Sequence, residues 1–97
     1  MQLYPGKVAE YKRRHEEIWP ELAALLKETG ISDYSIFLDE TTHSLFATLK
    51  VEKPELMDKL PEHPVMKKWW AYMKDLMESH ADSSPVSVPL QEVFYLP

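Results

Sequence analysis

Histidine is the side chain that most readily both gives and takes a proton near neutral pH. His15 sits where that property has a use. Tyr11 lies one helical turn before it and Trp19 one turn after, so His15 occupies the middle of an inward-facing apolar and aromatic stripe. Such a row resembles the wall of a pocket. It equally resembles a crowded core in which the imidazole bonds to a backbone carbonyl, and spacing alone favours that commoner arrangement. Trp69 and Trp70 are adjacent, about 100° apart on a helix, so both can touch one concave site. They offer flat apolar faces for C–H patches and two indole N–H donors for hydroxyls, a combination suited to sugars. A Met/Trp core stripe is the competing reading. Tyr34 is a weaker candidate of the same kind, its hydroxyl reaching either a ligand or water.

Other chemistries find little support. His15, His43, His63 and His80 show no i, i+4 pairing and no HxxxH or HExxH spacing, so no metal site is expected. Two glycines cannot build the glycine-rich loops that cradle nucleotide phosphates, so no nucleotide cofactor held by such loops is expected. Ser83 and Ser84 fall in a connector rather than at a strand–helix elbow, which argues against a serine nucleophile. With no cysteine there is neither thiolate chemistry nor a disulfide framework, and the cytoplasm is the default compartment. A formal charge of −5 argues against a nucleic-acid partner. No run of about 18 apolar residues is present, so no membrane span is expected. Most carboxylates lie on outer helix faces; Glu92, in an expected last strand, is the one that draws attention.

The elements that must position these residues follow from periodicity. Val8, Tyr11, His15, Ile18, Leu22 and Leu25 draw one helical stripe through residues 5–29, and Pro20 is expected to kink or divide that helix near Trp19. A hairpin comes next: Tyr34, Ile36 and Leu38 alternate with Ser35, Phe37 and Asp39, and a polar turn at 40–43 leads into Ser44–Val51. Pro54 opens a short helical piece broken at Pro61 and Pro64. A second long helix is expected from Val65 to about Ser79, with Met66, Trp69, Trp70, Met73, Leu76 and Met77 on one arc. Residues 81–90 read as an extended connector and Gln91–Leu96 as a final strand.

With a first strand barely present at Gln2–Tyr4, this order is that of an α+β, ferredoxin-like αβ sandwich in a single domain, residues 1–97. Both faces of the hairpin are apolar, yet two helices cover only one. The other face is expected to meet the sheet of a second copy, giving a homodimer.

Four segments together resemble the L-rhamnose mutarotase family: YKRRHEEIWPEL at 11–22, DYSIFLD at 33–39, MKKWWAYMKDLM at 66–77 and SSPVSVPLQEVFYLP at 83–97. The resemblance spans nearly the whole chain from about residue 8. It implies a dimeric α/β barrel that interconverts the anomers of L-rhamnose without metal or cofactor. It also implies that His15 is the proton donor and that Tyr11, Tyr34, Trp69 and Trp70 contact the sugar. Family members carry several residues ahead of the position of Met1, so the first strand is expected to be short or missing. The alternatives are a cofactor-independent monooxygenase or haem-handling protein on the same barrel, and a non-catalytic sugar-binding module.

Overall fold

A computed structural model describes residues 1–97. The elements in chain order are α1 (Val8–Glu16), α2 (Pro20–Glu28), β1 (Ile31–Asp39), β2 (Ser44–Val51), α3 (Pro54–Met57), a 3₁₀ turn (Leu60–Glu62) and α4 (Pro64–Met73). The expected first helix is divided where Pro20 requires it. Trp19 is extended (φ −59°, ψ 131°), as a residue before proline prefers, and Pro20 takes the first helical position of α2, where no N–H is needed. The helix begins at Val8 rather than at residue 5 because Pro5 and Gly6 form a turn, with Gly6 at φ 80°.

α2 closes on Thr29, whose hydroxyl donates to the Leu25 carbonyl at 2.8 Å. Gly30 follows at φ +84°, a left-handed cap where a Cβ would also press to 3.2 Å from Cβ of Glu52. The chain then enters the antiparallel hairpin, with Phe37 opposite Phe46 and Leu38 opposite Leu45. The register slips between Ser32 and Ser35, and Asp33 stands at φ 48° inside that irregularity.

Gln2 and Leu3 supply the short first strand. Gln2 bridges Ser44 and Leu3 bridges Met77, both antiparallel. Leu3 N–H donates to His43, Tyr4 N–H to Leu76 and Glu78 N–H to the Gln2 carbonyl. The N-terminal segment thus lies between β2 and the chain after α4, the central place that a ferredoxin-like order assigns to it. α2 and α4 pack together, and α2 packs on β1. The core is Leu3, Leu22, Leu45, Trp69, Met73, Leu76 and Met77.

Two expectations are corrected. α4 stops at Met73 rather than near Ser79, because Leu76 and Met77 leave the helix to pair with Tyr4 and Leu3. Residues 91–96 form no strand in the chain: no edge receives them, and Val93, Phe94, Tyr95 and Leu96 are exposed. Glu92 lies in this exposed stretch. The connector before it is partly folded, since Ser79 bridges Pro85 around a tight turn with Ser83 at φ 73°. No helix is long and apolar enough to cross a membrane.

Candidate active site

Tyr11, His15, Tyr34, Trp69 and Trp70 all line one cleft of ≈ 1090 Å³. Its walls come from α1, β1, α4 and the turn carrying Ser84 and Pro85. α1 supplies Tyr11 and His15 at i, i+4 spacing, which brings their rings to 4.3 Å at 35°. Nδ1 of His15 lies 2.9 Å from the Tyr11 carbonyl oxygen. A carbonyl only accepts, so Nδ1 carries the proton of that bond and Nε2 is left to face other groups.

α4 supplies the two indoles. His63 caps it, its Nδ1 accepting from Val65 N–H at 3.2 Å, and Pro64 occupies the first turn. Trp69 is 6 % exposed, which makes it part of the core and of the cleft wall at once. Its ring meets His15 edge-on at 5.5 Å and Trp19 edge-on at 5.2 Å. Trp70, one residue on, is half-buried on the same wall.

Tyr34 stands in the hairpin irregularity at Asp33. Bulges of this kind re-aim a side chain without breaking the strand. Ile36 and Leu38 continue its face into the cleft, while Phe37 points to the opposite side. The residue is 45 % exposed overall, yet partial burial at the cleft raises its phenol pKa above the usual 10. Tyr11 is raised too, chiefly by burial and secondarily by the neighbouring Tyr34 phenol. Both therefore stay protonated across the neutral range and can donate to a ligand oxygen.

Sequence reasoning did not single out Arg14, Tyr72 or the Ser84–Pro85 turn. Tyr72 packs on Trp69 at 5.8 Å and on Trp19 at 5.5 Å. Its i+3 position after Trp69 was the available signal. Arg14 bonds across 61 residues to Asp75, for which no local pattern exists. No three His, Asp or Glu side chains converge as metal ligands would.

Comparison with known proteins identifies the family. The family model described as L-rhamnose mutarotase matches residues 1–96. An L-rhamnose mutarotase of Brucella anthropi is 60 % identical over 97 residues, covering 100 % of this chain and 92 % of its own. One from Agrobacterium fabrum is 61 % identical over 97 residues, covering 100 % and 91 %. A crystal structure of an L-rhamnose mutarotase from Formosa agariphila superposes with a TM-score of 0.93 at 48 % identity, covering 100 % of this chain and 93 % of that one. A whole-chain family match, relatives at about 60 % identity and a shared fold lead to one conclusion: the chain belongs to the L-rhamnose mutarotase family.

Proposed function

We propose that residues 1–97 act as one domain that interconverts the α and β anomers of L-rhamnose, with His15 as the proton-transfer residue. The observation that carries this reading is the meeting of Tyr11, His15, Tyr34, Trp69 and Trp70 on one cleft. It gains weight from relatives named for that activity.

Ring opening breaks the bond between C1 and the ring oxygen. A proton reaches the ring oxygen while another leaves the anomeric hydroxyl, whose oxygen becomes the carbonyl. Rotation about C1–C2 and reclosure return both protons. No redox step is involved. Protonated His15 delivers its proton from Nε2, since Nδ1 is held by the Tyr11 carbonyl. Tyr11 and Tyr34, kept neutral by burial, serve as donors to sugar hydroxyls, and the anomeric proton passes to water. Trp69 and Trp70 pack against the C–H face of the ring. One positioned acid–base group contributes on the order of 10²–10⁴-fold. That suffices for a reaction already quick in water.

Saturation transfer between the two anomeric proton signals of L-rhamnose tests the reading. Catalytic amounts of the protein are expected to speed the exchange, and His15→Ala to return it to the uncatalysed rate. Wild-type exchange in His15→Ala would overturn the assignment of His15. No enhancement by the unaltered protein would overturn the activity.

A homodimer belongs to the same proposal. Only nine of 97 residues are buried in the single chain, whereas Phe37 and Phe46 form an exposed cross-strand pair on the face turned away from the cleft. Val93, Phe94 and Leu96 are more than three-quarters exposed. Apolar surface on this scale is expected to be covered by a second copy. Sedimentation is expected to give twice 11.4 kDa, and a monomer at micromolar concentration would refute it. We also propose a cytoplasmic setting, in line with the absence of cysteine. Recovery of the protein outside the cytoplasmic fraction of its source cells would count against that.

A further inference from the structure

We propose that Arg14 is a positioning residue: through Asp75 and Tyr72 it fixes α1 against the end of α4 and so sets where the His15 imidazole stands. The inference rests on the reading of His15 as the proton-transfer residue.

α1 is the weak element of the cleft wall. It has nine residues, too few to be stable as an isolated helix, and it buries none of them. Yet it carries both Tyr11 and His15. Most of its charged contacts are local and hold nothing but itself. Arg13 pairs with Glu10 and Glu17, and Lys12 reaches Glu16 at 4.0 Å. Arg14 is different. Its side chain is only 11 % exposed, against 50 % for Arg13. Nη1 donates to the Tyr72 carbonyl at 2.7 Å and to Asp75 Oδ1 at 2.9 Å, while Nη2 reaches Asp75 Oδ2 at 3.2 Å. Nε closes the fork on Glu10 at 2.9 Å. The guanidinium carbon also lies 4.4 Å from the centre of the Tyr72 ring.

The Tyr72 ring joins this clamp to the cleft. It packs on Trp69 at 5.8 Å, and Trp69 meets His15 at 5.5 Å. Arg14 and His15 are neighbours on one helix, so holding the first limits the roll of the second about the helix axis. At roughly 6 Å from that axis, a 10° roll moves the imidazole by about 1 Å. Errors of that size are enough to cost an acid–base step as much as 10²-fold. Lysine cannot replace the fork, because one ammonium does not grip both carboxylate oxygens and a carbonyl in a plane.

The experiment compares kcat and KM for anomer exchange in Arg14→Lys, Asp75→Asn and the double variant. Thr29→Ala, which loses a capping bond away from the cleft, serves as the control for stability. Arg14→Lys is expected to lower kcat about tenfold with KM within about twofold, and Asp75→Asn to lower kcat by a smaller factor. The double variant is expected to fall no further than Arg14→Lys, as two halves of one contact should. The His15 ring-proton resonances, recorded without sugar, are expected to move in Arg14→Lys and not in Thr29→Ala. Wild-type kcat in Arg14→Lys would overturn the proposal. So would a loss confined to KM, or an equal kcat loss in Thr29→Ala. If the unaltered protein failed to exchange L-rhamnose, the proposed activity would fall, while the resonance shift would still report on the clamp.

Discussion

α1 and α4 are helices of nearly equal length that face the same cleft, and they are held by different forces. α4 buries Trp69 and Met73 in the core. α1 buries no residue completely and stays in place through the half-buried Tyr11 against the core, one fork of hydrogen bonds and the edges of aromatic rings. The contrast separates two tasks. The helix that supplies the apolar wall is also a pillar of the fold, so its residues cannot be changed for chemistry alone. The helix that carries His15, the proposed proton donor, is an attachment, and its residues are open to change at little cost to the core.

The largest expected effect lies on α4. Trp69→Ala removes a nearly buried indole and should destabilise the fold by about 3–5 kcal/mol. That is a large part of the roughly 5–15 kcal/mol a domain of this kind has in total. Urea unfolding should show it together with a loss of sugar binding. If Trp69→Ala kept wild-type stability, the view of α4 as a pillar would be wrong.

His15→Ala makes the opposite cut. Its catalysed exchange is expected to fall to the background rate, whereas its unfolding free energy should change by about 1 kcal/mol or less. A comparable loss of stability would erase the distinction between the two helices.

The smallest effect sharpens the picture of α1 itself. Hydrogen bonds from Arg13 and then Arg14 hold the Glu10 carboxyl at about 2, below its ordinary 4.5. A lowered pKa means that the stabilisation is present above about pH 4.5 and is lost as the pH falls through about 2. Glu10 is a surface group, so the effect is modest. The difference in urea midpoint between the unaltered protein and Glu10→Gln should be largest at neutral pH and shrink toward zero near pH 2. A difference that stayed constant with pH would remove Glu10 from the account.

What could be read from the sequence follows the range of the forces involved. The break at Trp19–Pro20 is local sterics and was visible in two letters. The hairpin faces were visible because alternation has a period of two. The helical stripes nominated Tyr11, His15, Trp69 and Trp70 without choosing between pocket and core, and the family resemblance made that choice and added Tyr34. The end of α4 was not visible. Leu76 and Met77 continue the helical spacing of Met73, and the chain leaves the helix only because Tyr4 and Leu3 pair with it from the far end of the sequence. Residues 91–96 have the composition of a strand, but a strand needs an edge, and none within the chain receives them. Arg14 was hidden for the same reason: its meaning depends on Asp75. Spacing could not tell a core histidine from a cleft histidine at position 15. His15 proves to bond to a backbone carbonyl, as a core histidine would, while its ring lines the cleft.

That bond has a consequence for the direction of proton traffic. With Nδ1 committed to the Tyr11 carbonyl, the imidazole has a single free door, Nε2. On the proposed route the same atom must release the proton when the ring opens and collect it when the ring closes. A turnover therefore needs no flip of the imidazole and no second delivery point. The stereochemical inversion is left to the open-chain sugar, which turns its own carbonyl over in front of a stationary door.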